Sequence, residues 1–143
     1  MKERADVVKP SISLSFDGQC EAAFKFYERC FGGKITFLLT WADSPMAKDA
    51  PPKWGAKILH ASLSVGNMVF AGADTLPQGY ERPRGFAVLL GLSDPMEAER
   101  LFNALAEDGT VKVPLQETFW AGRYGWVTDR FGIPWTINCE KAE

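Results

Sequence analysis

Two stretches of the chain follow one plan. Leu14 to Ile35, LSFDGQCEAAFKFYERCFGGKI, and Leu90 to Val111, LGLSDPMEAERLFNALAEDGTV, superimpose without a gap at a shift of 76 residues. Leu14 falls on Leu90, Glu21 on Glu97, Ala22 on Ala98, Phe26 on Phe102 and Gly33 on Gly109. Five identities in 22 positions are few, but they fall where a strand, a helix start and a helix stop belong. The pattern predicts a strand–helix–strand unit used twice, and so a fold with an internal repeat.

The rest of the chain extends each copy. Ser11, Ser13 and Ser15 alternate with Ile12, Leu14 and Phe16, the period of a half-buried strand. Asp17 and Gly18 offer a turn and a helix cap. Ala23, Phe26, Tyr27 and Cys30 then form an apolar helical stripe that Gly32 and Gly33 stop. Lys34 to Trp41, Ile58 to Val65 and Met68 to Ala73 read as strands, the last two joined by a tight Gly66-Asn67 turn. The Pro-rich stretch 42–54 between them reads as a loop or flap. In the second copy Phe86 to Leu92 is the strand, and Ser93-Asp94-Pro95 opens the helix. Its stripe is Ala98, Leu101, Phe102 and Leu105, and Asp108-Gly109 ends it. Val111 to Glu117, Tyr124 to Thr128 and Pro134 to Cys139 complete the copy. The expectation is one α+β domain over residues 1–143. It comprises a β-α-β-β-β module at 11–73, a linker at 74–84 and a second module at 85–139, after a charged lead-in at 1–9.

Composition narrows the function classes. A chain of 143 residues, 46% of them hydrophobic, has enough apolar side chains for one sizeable core. Net charge is −2 with no basic stripe, which argues against nucleic acid as a partner. No apolar run reaches the ~20 residues of a membrane span, and the charged start MKERADVVKP does not read as a signal peptide. Cys20 and Cys30 lie on one predicted helix, roughly 15 Å apart at 1.5 Å per residue, too far to bridge. Three unpaired cysteines suit the reducing cytoplasm.

Strand parity points to a binding surface. If Ile12, Leu14 and Phe16 face the helices, the opposite face carries Ser11, Ser13, Ser15, His60, Ser62, Ser64, Phe70, Trp126, Thr136 and Asn138. Two curved sheets backed by helices would wrap this polar and aromatic face around an internal cleft, the setting of a small-molecule site. The ligand-binding candidates are Ser11, Ser13, His60, Ser62, Phe70, Trp120, Arg123, Trp126 and Thr136. Trp120 and Trp126 would stack a ligand, and Arg123 would clamp an anionic group. His60, the single histidine, and Glu117 are the candidates for acid–base catalysis. Each has a plainer reading as a strand or surface residue.

The doubled β-α-β-β-β order and the late DRFGIPW stretch resemble the vicinal oxygen chelate superfamily, which contains glyoxalases, extradiol dioxygenases and bleomycin-resistance proteins. Over residues 11 to 139, the segments SFDGQCEAAFKFYERCFGG, ILHASLSVGNMVFAGAD and PLQETFWAGRYGWVTDRFGIPWTINC look like its PhnB-like branch, often labelled demethylubiquinone 3-methyltransferase-like. The resemblance implies a homodimer and, in the enzymes, a divalent metal held from four positions. Here those positions carry Ser11, Phe70, Ala87 and Thr136, a poor ligand set, so no metal is expected. A methyltransferase site is not expected either, because Gly32-Gly33 and Gly109 follow helices instead of opening them. The expected function is cofactor-free binding of a small organic molecule. The alternatives are a glyoxalase-, lyase- or isomerase-like enzyme, and a protein that sequesters an antibiotic.

Overall fold

Alternation and helical periodicity translate into two copies of one five-element order. The computed structural model describes residues 7–142, so the first six residues of the lead-in lie outside it. The first half is β1 (Ile12–Phe16), α1 (Cys20–Phe31), β2 (Lys34–Thr40), β3 (Ile58–Val65) and β4 (Met68–Asp74). The second is β5 (Val88–Leu92), α2 (Pro95–Ala106), β6 (Thr110–Gln116), β7 (Arg123–Thr128) and β8 (Pro134–Cys139). The strands form two four-stranded sheets, β1-β4-β3-β2 and β5-β8-β7-β6. In each, the first and last strands of the half pair in parallel and the remaining pairs are antiparallel. The fold is α+β, and neither sheet closes into a barrel.

The helix ends show local chemistry that the linear pattern half conceals. α2 starts as expected: Asp94 accepts from the Met96 N–H at 3.0 Å and Pro95 occupies the first turn. α1 does not. Its N-cap is Gln19, which makes no side-chain bond, and the expected cap at Asp17 is not used. The cap comes from across the half: buried Asp74, at the end of β4, accepts from the N–H groups of Cys20 and Ile58, each at 2.8 Å. Burial raises the Asp74 carboxyl above the usual carboxylate range, and these two bonds oppose the rise. α1 ends on Gly32 in the left-handed conformation, φ 73°. After α2 the left-handed residue is Asp108, φ 58°, and Gly109 serves a different need. A Cβ there would lie 2.4 Å from the Thr128 carbonyl oxygen.

The helix-facing sides of both sheets contribute to one core. Leu14, Phe16 and Leu63 from the first sheet and Val127, Trp135 and Ile137 from the second are all essentially inaccessible to solvent. α1 spans the seam between the halves. Its Tyr27 ring meets Trp135 edge-on at 5.1 Å, and Phe26 lies 5.7 Å from Phe131. The Tyr27 hydroxyl donates to Asp129 at 2.5 Å, and burial beside that carboxylate holds the phenol well above its ordinary pKa. Buried Asp129 also accepts from Trp135 Nε1 and from the backbone of Phe131 and Ile133. A second link runs from α2, where Arg100 donates to the Cys30 carbonyl near the end of α1 at 2.8 Å. All three cysteines are buried and unpaired. Burial pushes the Cys30 thiol up to about 11.

Phe70 corrects the expected division of faces. The Gly66-Asn67 turn pairs Val65 with Met68 and therefore Leu63 with Phe70, while β1 places Ile12 beside Phe70. Residues paired across a ladder share a side, so Phe70 belongs to the helix-facing set. It is 2% exposed and stacks on Trp135 at 6.2 Å.

Candidate functional site

The outer faces of the two sheets carry most of the polar positions picked out by parity. On the first sheet these are Ser13, Ser15, His60 and Ser62; on the second, Trp126, Thr136 and Asn138. The expected single internal cleft is not formed by these faces within one chain. Ser13, Ser15 and His60 are exposed, and the cavity over Trp126 is bounded by the second half and the linker alone. The physical reason is that the helices and the helix-facing residues of both sheets meet each other in the core, which leaves both polar faces uncovered.

Besides a cavity of about 420 Å³ beside Gln19, Lys57 and Asp74, two cavities lie against the sheets. The larger, about 1080 Å³, lies on the outer face of the second sheet. Thr110, Lys112, Trp126, Thr128 and Pro134 form its floor, and linker residues Glu81 to Phe86 form its wall. The Trp126 indole N–H is buried and has no acceptor among the described residues. The smaller, about 480 Å³, is an apolar groove in the seam between β1 and β5, where Ser11, Ile12, Phe70, Val88 and Leu89 meet.

The structure scatters the residues singled out from the sequence. Trp126 lines the larger cavity, whereas Ser11 and Phe70 line the seam groove. The Ser11 hydroxyl is engaged by the Val69 carbonyl. Thr136 pairs with Trp126 on the outer face. Trp120, half exposed, donates to Asn138 at 3.2 Å and packs on Tyr124 at the far end of the same sheet. His60 is an exposed β3 residue 5.8 Å from the Phe37 ring, and Glu117 is exposed just beyond β6. These two acid–base candidates sit in different halves. Arg123 is not a loop residue: it opens β7 on the helix side and reaches Glu99 of α2 at 3.4 Å. Arg82, Arg84 and Lys112 also line the larger cavity and are not among the residues that the sequence singles out; the Arg82-Pro83-Arg84 triplet is a signal for the first two.

The model of one family, 3-demethylubiquinone-9 3-methyltransferase, matches residues 8–138. The chain belongs to that family. Protein YjdN of Escherichia coli is 32% identical over 138 residues, which cover 91% of this chain and 94% of YjdN. The structure of protein PA1353 from Pseudomonas aeruginosa is 42% identical with a TM-score of 0.83, covering 94% of this chain and 100% of that one. A PhnB protein from Bacillus cereus, at 22% identity and TM-score 0.79, covers 92% of this chain and 99% of its own. A Frankia domain described as glyoxylase/bleomycin resistance protein/dioxygenase shares the fold at 11% identity and TM-score 0.62, over 96% of this chain and 100% of that one. The chain is thus a PhnB-like protein with the glyoxalase and bleomycin-resistance fold.

The groups that this kinship implies do not fit the residues present. At the four metal positions, Phe70 faces the core, Ala87 has no donor, and Ser11 and Thr136 offer only hydroxyls. No group of three His, Cys, Asp or Glu suited to an ion occurs among the described residues. For the methyl donor, the sheets are mixed rather than doubly wound, and the first backbone N–H of α1 already serves Asp74. No helix among the described residues is long and apolar enough to cross a membrane.

Proposed function

We propose that the protein is a cytoplasmic, metal-free binder of a small organic molecule, and that it works as a homodimer. The observation that carries this reading is the cavity of about 1080 Å³ over Trp126, paired with metal positions that lack a competent donor set. Support for the dimer comes from the uncovered outer faces. Phe37 and Val69 on the first sheet are 47% and 49% exposed, and Leu89 on the second is 63% exposed. A partner's first sheet laid over the second sheet would bury these side chains and roof the cavity. The three buried, unpaired thiols suit a reducing compartment.

Native mass spectrometry of freshly purified protein tests the metal, the ligand and the dimer together. The expected species is a dimer without stoichiometric divalent ion that carries or accepts one small organic molecule per chain. One tightly held metal ion per chain would overturn the reading. A catalytic alternative rests on His60 and Glu117, which only a second copy could bring to one centre. It requires His60→Ala to abolish turnover of a small substrate while the melting temperature stays within a degree or two.

A further inference from the structure

The larger cavity gathers positive charge. Its charged groups are Arg82 and Arg84 from the linker, Lys112 from β6 and the single carboxylate of Glu81. A local excess of two positive charges stands in a chain whose net charge is −2. None of the three cations has a carboxylate within ion-pair distance among the described residues, a state they share with surface cations such as Arg29, Lys34 and Lys48; what sets them apart is that they converge on one cavity. The linker passes close to the β7–β8 turn here. Gly132, φ 92°, leaves the room that the Arg82 guanidinium occupies; a Cβ there would stand 3.3 Å from Arg82 Nη1. The seam groove offers the opposite balance: its one charged group is Glu97, already locked to Arg100.

We infer that the ligand of the larger cavity is a small organic anion. Its carboxylate, sulfonate or phosphate-type group would be gripped by Arg84 and Lys112 with Arg82 behind them, and its flat body would lie along Trp126. Guanidinium groups suit such oxyanions because they present two parallel N–H donors. This inference rests on the small-molecule reading above and adds the charge of the occupant.

A matched pair of fluorescent probes separates the two claims. 8-Anilinonaphthalene-1-sulfonate and N-phenyl-1-naphthylamine share a ring system and differ by the sulfonate. In titrations of the full-length protein, the sulfonate is expected to bind once per chain, about tenfold or more tighter than the neutral probe. Arg84→Gln with Lys112→Gln should erase most of that difference, as should 0.5 M salt, while leaving the neutral probe unchanged. Trp126→Phe should weaken both probes. Equal affinity for the two probes, both weakened by Trp126→Phe, would overturn the anionic ligand and leave the cavity reading standing. Failure of both probes to bind would overturn both. Sulfonate binding indifferent to all three substitutions would place the anion elsewhere and overturn the inference.

Discussion

The two halves share an element order and differ in what their helices do. α1 buries Cys20, Ala23, Phe24, Phe26, Tyr27 and Cys30, an arc wide enough to touch its own sheet and the second. α2 buries only Ala98, Leu101, Phe102 and Leu105, the narrower stripe of a helix that serves one sheet. Each helix seats an aromatic ring on a sheet glycine, but at different places. Phe24 sits on Gly72 of β4, where a Cβ would be 2.4 Å from its ring, and Phe102 sits on Gly125 of β7, at 2.6 Å. The apolar stripes are therefore rotated against one another because α1 turns Phe26 and Tyr27 toward its neighbour. A repeated plan has diverged into a helix that packs its rings on both sheets and one that reaches the other half only through Arg100 and the seam groove.

The buried aspartates divide the same way, and removing them would test the contrast most severely. Asp129→Ala strands the Tyr27 hydroxyl, the Trp135 indole and two backbone N–H groups, so the expected loss is about 4 kcal/mol in denaturant unfolding. Asp74→Ala strands two backbone donors inside one half, and about 2–3 kcal/mol is expected. If Asp74→Ala proved the more damaging, the bridging role of Asp129 would be wrong.

Gly72→Ala and Gly125→Ala should each cost about 1–3 kcal/mol through overpacking against Phe24 and Phe102. A double-mutant cycle should show each cost relieved by Phe24→Leu or Phe102→Leu in the same half, and not across halves. Relief across the halves would mean that the two ring seats are not independent.

Tyr27→Phe should have the smallest effect at neutral pH, about 1 kcal/mol. Its signature lies in alkali. Above about pH 10 the unfolded phenol releases its proton while the folded one retains it. The unfolded state then binds fewer protons, and stability falls as pH rises. Thermal melts between pH 8 and 11 should show a fall in the parent chain that is shallower in Tyr27→Phe. Parallel curves would show that Tyr27 does not drive the loss.

Much of this architecture was legible beforehand, because alternation and helical spacing are local signals. The strand β3 was expected over Ile58 to Val65 and stands there. The Ser93-Asp94-Pro95 opening of α2 held because the bond it makes is only two residues long. What escaped was action at a distance. Asp74 capping a helix 54 residues earlier, and Asp129 receiving a hydroxyl from 102 residues earlier, leave no periodic trace. Parity alone puts Phe70 on the polar face, whereas the two-residue turn at Gly66-Asn67 fixes Leu63 as its partner and turns it to the core. The cations of the larger cavity were hidden differently: Arg82 and Arg84 lie in a linker without strand or helix spacing to orient them.

The hydroxyl of Tyr27 and the carboxylate of Asp129 form one bond that spans the duplication. Chimeras that graft the front segment of one relative onto the back segment of another must therefore transfer both groups together. A hybrid inheriting only one would keep a recognisable outline and leave a buried polar group at its junction without its mate.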